Sequence, residues 1–386
     1  MPDRSAVAYF GAGPAPLPTE VLSKGAEAFV NFQDTGLSLG EISHRSQTAT
    51  QILTDTKAAL TTLLEIPDTH EILFMHGGGS GLKAEEDIGG DSQRIIEGVR
   101  KELQDTLSLD YLVIGSWSLK ASQEAANLLE PLRSNFVDVA LDSRRRSSAG
   151  RFDNIPPEDT WNLTPPRTEG GKISAFVYYC DNKTVDGVES LRFPECLHER
   201  PENPSDEVPV IANISSNFLS KRVDMSKHAV IFVVGVWSPP TIFSWPIVAK
   251  DNSLYNTMPI FSIWIAGEVM RGLLDTHRHR QLAGQEELAN MKAKQICNVL
   301  DRFPDVYQIA PNHPVRSPLN ICFRVRGGDA AHEKAFLECA EAQLLQGLKG
   351  HRSASRMRIS NYNAVDLARV RRLTAYLETF TRDNKS

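Results

Sequence analysis

No apolar run in this chain approaches the roughly 20 residues a membrane helix needs, so a helical membrane protein is not expected. Cysteine is scarce: Cys180, Cys196, Cys297, Cys322 and Cys339 lie far apart, without a Cys-x-x-Cys pair. An odd, scattered set supplies neither a disulfide framework nor a zinc site and fits a reducing compartment. Charge of one sign is not in large excess. The 42 Lys+Arg against 48 Asp+Glu leave a net charge of −6, which argues against a polyanion such as nucleic acid as the default partner. The first residues, Met1-Pro2-Asp3-Arg4-Ser5-Ala6, carry no apolar signal core, so a cytoplasmic protein is expected. Internal repeats and low-complexity tracts are missing as well. What is present is an ordinary globular mixture, 41% hydrophobic and 23% charged, in 386 residues, enough for two or three domains.

The hydrophobic pattern alternates strands with helices. A turn-rich entry, Phe10 to Pro18, leads to a helix from a Thr19 cap to about Phe32. Gln47 to Leu64 has apolar residues at helical spacing and stops before Pro67. Glu71 to Met75 reads as a short buried strand, followed at once by Gly77-Gly78-Gly79-Ser80. Further strands are read at Tyr111–Ile114, Ser174–Tyr179, Val208–Ile214 and Ala229–Val234, with a helix over Leu119–Leu129. Asp142 to Thr168 and Leu197 to Val208 read as surface loops. Such alternation predicts an α/β fold with a mostly parallel sheet covered on both faces. Past about Ile260 the pattern becomes helices over Ile263–Leu274, Glu286–Leu300, Ala331–Leu345 and Ala364–Phe380, with a strand at Asn320–Val325. This predicts an N-terminal segment over 1–18, a large domain over 19–258 and a smaller C-terminal α+β domain over 259–386.

Several short motifs could carry chemistry. A glycine run after a strand can cradle phosphate with backbone N–H groups, and is equally often a plain tight turn. Trp117, in Gly115-Ser116-Trp117-Ser118, could stack on an aromatic ligand; a core tryptophan is the plainer reading. His44-Arg45-Ser46, His351-Arg352-Ser353 and Arg358 place arginines in polar loops. Arginine is the natural fork for carboxylate or phosphate, although any one of them is more often a solvated surface residue. The recurrence of His-Arg-Ser strengthens the functional reading. No metal-ligand spacing is found.

Taken in order, Phe10-Gly-Ala-Gly-Pro-Ala-Pro-Leu-Pro18, Glu41-Ile-Ser-His-Arg-Ser46, Gly77-Gly-Gly-Ser80, Gly115-Ser-Trp-Ser118, Tyr179-Cys-Asp-Asn-Lys-Thr-Val-Asp-Gly-Val-Glu189, Ser215-Ser-Asn-Phe-Leu-Ser220, Ser253-Leu-Tyr-Asn-Thr257 and Gly347-Leu-Lys-Gly-His-Arg-Ser353 resemble the phosphoserine aminotransferases, in their fungal form. The resemblance spans nearly the whole chain. It implies the aspartate-aminotransferase-like fold (fold type I) and pyridoxal 5'-phosphate as cofactor. It implies a homodimer, and transfer of an amino group between glutamate and 3-phosphohydroxypyruvate to give phosphoserine and 2-oxoglutarate in serine biosynthesis. By motif, Gly78, Gly79 and Ser80 would meet the cofactor phosphate, Trp117 would stack on its ring, and Thr184 would bond near the ring hydroxyl. Asn213 would stand at the ring nitrogen. Asn256 and Thr257 would reach the partner subunit's cofactor phosphate. Arg358 would grip the substrate α-carboxylate, and His44, Arg45, His351 and Arg352 the substrate's phosphate or side carboxylate.

Four features depart from the family pattern, all in the cofactor half. The lysine that holds the cofactor and moves the proton follows a strand like Ala229–Val234 in the family. Here Gly235-Val-Trp-Ser-Pro-Pro-Thr-Ile-Phe243 follows instead, and the next lysine is Lys250. Lys250 and Lys227 match lysines found elsewhere in fungal relatives, and roughly 25–30 family residues, the lysine included, have no counterpart. Asn213 replaces an aspartate, and a neutral amide cannot hold a pyridinium proton by charge. Lys83-Ala-Glu-Glu-Asp-Ile-Gly-Gly-Asp91 places carboxylates beside the glycine run, unfavourable next to a phosphate; His76 also replaces a glutamine. No catalytic residue is therefore assigned. Three readings stay open: an active or residually active aminotransferase, a pseudoenzyme that binds small anions or heterodimerises with an active paralogue, and an inactive product of gene decay.

Overall fold

A computed structural model describes residues 3–75, 107–130, 136–165, 172–198, 207–233, 245–254, 257–351 and 357–384. Strand β1 (Ala8–Tyr9) enters the molecule, and helix α1 (Thr19–Val30) follows the proline-rich turn. Thr19 is not the cap expected of it: it is the first helical residue, and Pro18 stands at the cap position. Proline presets φ and donates no N–H, while its carbonyl accepts the Leu22 N–H at 3.2 Å. Helix α2 (Gln47–Leu64) starts where read, with Ser46 Oγ accepting the Ala49 N–H at 3.1 Å. It buries Ala49, Ile52, Leu53, Ala59, Leu60, Leu63 and Leu64 along one stripe. The run Glu71–Met75 forms no strand. Its apolar residues Ile72 and Phe74 do pack inward, but Phe74 N–H donates to Ser253 Oγ at 3.0 Å rather than to a ladder. A five-residue apolar run specifies burial, not strand pairing.

The main sheet contains β2 (Leu107–Val113), β3 (Val137–Asp142), β4 (Ile173–Cys180), β7 (Val210–Asn213) and β8 (Val230–Phe232), with β5 (Asn182–Lys183) and β6 (Val188–Glu189) forming a small hairpin between β4 and β7. Its order is β3-β2-β4-β7-β8 and every pairing is parallel. Both faces are apolar. Val177 and Tyr179 point into one cluster, and Phe176, Tyr178 and Cys180 into the other, as a strand period of two requires. Helix α3 (Ser116–Leu129) returns the chain from β2 to β3. The loop after β3 is less superficial than its polarity suggests. Phe152 is buried, and Ile155, Trp161 and Leu163 pack against the sheet.

Beyond a short helix α4 (Trp245–Lys250), the chain forms α5 (Ile260–His277), α6 (Gln281–Arg302), β9 (Tyr307–Ile309), β10 (Asn320–Val325), α7 (Ala330–Ala342), β11 (Leu345–Gln346), β12 (Met357–Ser360) and α8 (Leu367–Asp383). Leu345, read as the end of a helix, instead opens β11. Strands β12, β10 and β9 make an antiparallel sheet under α6, α7 and α8, with Ile296, Leu300, Phe323, Phe336, Leu373 and Leu377 at its core. Packing crosses the sequence divisions. Ala8 and Phe10 belong to this C-terminal core, through parallel pairing of β1 with β11. Helix α5 contributes Ile263 and Trp264 to a cluster with Ile52 and Leu53 of α2. Among the described residues, no helix is long and apolar enough to cross a membrane.

Candidate functional site

In an open parallel sheet, ligands bind beyond the carboxyl ends of the strands, where the strand order reverses. Here β2 is followed to one side by β3 and to the other by β4, so the reversal lies between β2 and β4. Trp117 follows β2 and Thr184 follows β4. Both line a cavity of about 1090 Å³, together with Ser215, Ser216, His351 and Arg358.

The turn before Trp117 is built tightly. A Cβ on Gly115 would lie 2.2 Å from Lys183 Cγ, so only glycine fits between β2 and the hairpin. Ser118 Oγ accepts the N–H groups of Ile114 (3.1 Å) and Gly115 (3.2 Å). Asp186 reaches across from the hairpin: Oδ2 accepts Ser116 N–H at 2.8 Å and Oδ1 accepts Ser116 Oγ–H at 3.2 Å. A carboxylate at this helix N-terminus also complements its dipole. Trp117, 46% exposed, is thereby presented to the cavity, with Lys120 Nζ 4.6 Å from its ring centroid.

Arg358 stands opposite, in β12, only 8% exposed. Its Nη1 donates to Thr184 O at 3.2 Å, while its buried Nε has no partner among the described residues. Arg358 lines the cavity wall, and a guanidinium there fits a ligand carboxylate. A largely buried charge network supports the hairpin beneath. Lys221 Nζ meets Asp181 Oδ2 at 2.6 Å and Glu189 Oε1 at 3.4 Å. Ser317 Oγ donates to Glu189 at 3.0 Å, and Asn182 Nδ2 to Asn320 Oδ1 at 2.9 Å. Burial holds Lys183 down to about 8, and raises Glu189. The far end of the cavity carries Lys24, Glu268 and Arg271, with Lys24 Nζ 2.9 Å from Glu268.

The structure thus gathers Trp117, Thr184, His351 and Arg358 at one cavity. It does not bring Asn213, His44, Arg45 or Thr257 to that wall. Asn213 ends β7 with its Oδ1 accepting Ser215 N–H (3.0 Å) and Ser215 Oγ–H (2.6 Å). Arg45 Nε donates to His44 Nε2 at 3.3 Å on the surface, and Thr257 is exposed. Gly78, Gly79, Ser80, the acidic stretch 83–91, Asn256, Arg352 and the segment 234–244 lie outside the described residues. For an aromatic cofactor, Trp117 and Thr184 offer a fitting wall, whereas Asn213 offers no charge to it. Asp186, Tyr362 and Asn363 were not singled out from the sequence. Asp186 lies inside a quoted motif, but its partner Ser116 is 70 residues away. No metal-holding cluster occurs among the described residues.

The family described as aminotransferase class-V matches residues 7–86. The phosphoserine aminotransferase of Saccharomyces cerevisiae is 32% identical, covering 99% of this chain and 99% of that protein. That alignment runs over 417 positions, against 386 residues here, so at least 31 of its positions have no counterpart in this chain. Among solved structures, the phosphoserine aminotransferase from Bacillus circulans subsp. alkalophilus superposes with a TM-score of 0.78 at 26% identity, over 98% of this chain and 99% of that one. The pyridoxal-phosphate-bound phosphoserine aminotransferase from Trichomonas vaginalis gives 0.76 at 26% identity, over 96% and 99%.

Proposed function

The chain belongs to the phosphoserine aminotransferases, a pyridoxal-phosphate-dependent family with the α/β fold described above, and we propose that it keeps their substrate-binding half while lacking the lysine on which transamination turns. The observation carrying the first half is Arg358 at the cavity wall, whose guanidinium donates, among the described residues, only to Thr184 O. The second half rests on the sequence: no lysine occurs between Ala229 and Ala249.

When bound, the cofactor would carry the amino group and draw electrons from the substrate carbon. Trp117 would stack on its ring face and Thr184 would stand at its edge. Arg358 would orient the amino acid through a two-pronged bond to its carboxylate, and His351 would meet its far end. Asp186 would hold Trp117 at its angle. Proton transfer at the substrate carbon needs a base within hydrogen-bond reach. Lys183 does not supply it, because its Nζ is buried against Asp181 O (3.2 Å) and Ser190 Oγ (3.3 Å) and does not line the cavity. Substrate binding with little or no turnover is the outcome supported. Free cysteines throughout the described residues fit a cytoplasmic site of action.

The reading includes a homodimer. Thr257 is exposed and absent from its own chain's cavity, as suits a residue that completes a neighbour's site. The same observation favours a second reading, in which this chain completes the site of an active paralogue in a heterodimer. Titration of O-phosphoserine or glutamate into the purified protein, beside an assay of amino transfer to 2-oxoglutarate, tests the first reading. Binding without turnover is expected; a rate within about tenfold of an intact relative overturns it. Co-expression with an intact paralogue bearing a different tag tests the second, and separate recovery of the two chains rejects it.

A further inference from the structure

Helix α6 presents a cation where its neighbours are apolar. Lys292 has no exposed surface and lies on the side of the helix that buries Ala289, Ala293 and Ile296. Its Nζ donates to Tyr362 O at 3.1 Å and to Val365 O at 2.8 Å. These carbonyls bracket the turn that joins β12 to α8. Three residues of that turn, Tyr362, Asn363 and Ala364, form part of the cavity wall beside Arg358, whereas Lys292 does not touch the cavity. Buried carbonyls outside regular structure need donors, and an ammonium on a four-carbon stem can serve two at once.

The same face of α6 holds the turn at two more points. Gln285 Nε2 donates to Asn363 Oδ1 at 3.0 Å, and Asn361 Nδ2 donates to Ala289 O at 3.4 Å. Positions 285, 289 and 292 are four and three residues apart, the spacing of one helix face. From the other side, Asn320 Nδ2 donates to Tyr362 Oη at 3.3 Å, and Asn363 Nδ2 to Leu219 O at 3.1 Å. An apolar residue at 292 would pack as well against Ala289 and Ile296 and would avoid burying a charge. The lysine is explained by the turn it holds.

We propose that Lys292 is a positioning residue, which pins the Tyr362–Val365 turn and so sets where Tyr362 and Asn363 meet the ligand gripped by Arg358. This rests on the reading of the cavity as a ligand site. The full-length protein is compared as wild type, as Lys292→Met, and as Tyr307→Phe. The last removes a buried bond in the same C-terminal core, Tyr307 Oη to Leu377 O at 2.8 Å, from a residue that does not line the cavity. Three quantities are read: melting temperature, O-phosphoserine affinity by calorimetry, and hydrogen exchange in peptides covering residues 361–366. Lys292→Met should accelerate exchange there and weaken binding by about fivefold or more. Tyr307→Phe should lower the melting temperature without either effect. Unchanged exchange at 361–366, or an equal affinity loss in Tyr307→Phe, overturns the proposal. If the wild type does not bind O-phosphoserine, the reading of the cavity fails and the exchange result alone decides the role of Lys292. Should Lys292→Met not fold, Lys292→Gln is judged by the same measurements.

Discussion

Replacing Arg358 by methionine separates what this residue does for folding from what it does for binding. Among the described residues its guanidinium donates only to Thr184 O, at 3.2 Å, and leaves a buried Nε unpaired. The charged bond contributes about 1.5–3 kcal/mol, and the orphaned N–H costs about 1–3 kcal/mol. Arg358→Met removes both, so folding stability should move by less than about 2 kcal/mol in either direction. Binding should respond far more. A carboxylate in the cavity would pair with the guanidinium, and losing one such charged bond weakens affinity roughly 10- to 150-fold. Urea denaturation gives the first number and calorimetric titration of O-phosphoserine the second. Arg358→Lys should fall between, since a point charge cannot reproduce the fork. A stability loss above about 3 kcal/mol with unchanged affinity would refute the reasoning, because it would make Arg358 a structural residue.

Reduction with borohydride after incubation with pyridoxal phosphate should leave no pyridoxyl mass on any peptide between Ala229 and Asn256; mass spectrometry finding one there would show that a lysine in this segment carries the cofactor. Asn213→Asp should alter pyridoxamine phosphate affinity by no more than about twofold, because the side chain is engaged by Ser215; a tenfold gain would place it at the ring. Gly115→Ala should cost about 1–3 kcal/mol, since its Cβ would lie 2.2 Å from Lys183 Cγ; wild-type stability in the urea midpoint would contradict that close approach. Burial holds Lys183 and Lys292 near 8, against about 10.4 in the unfolded chain. The unfolded state then binds more protons between these values, so stability should rise with pH above about 8, by on the order of 1 kcal/mol per pH unit for each lysine until about pH 10. Lys292→Met should flatten that rise, and an unaltered slope would mean its ammonium is not desolvated.

Helix α2 and strand β10 could be bounded from the sequence because their signals are local: apolar residues at a helical period that stops before Pro67 in one, a short apolar run in the other. Family membership was legible for a different reason, since eight short motifs in order leave little room for another ancestor. The absence of a lysine between Ala229 and Ala249 needed no structure either, being a property of the residues present. Local signals fail where the deciding contact is distant. Nothing near Ala8 shows that it will pair with Leu345, and the apolar run at Glu71–Met75 cannot state whether a neighbouring strand awaits it. Of the motif residues read as site residues, the fold gathers Trp117, Thr184, His351 and Arg358 and leaves His44 and Arg45 on the surface. Motif order does not determine which loops converge. Asn213 lies at a cofactor position by motif, yet Ser215 engages its amide oxygen. Asp186 and Lys292 act on backbone groups about 70 residues away in sequence. Such roles arise only when packing excludes water and leaves a buried N–H or carbonyl to be satisfied, which tertiary structure alone decides.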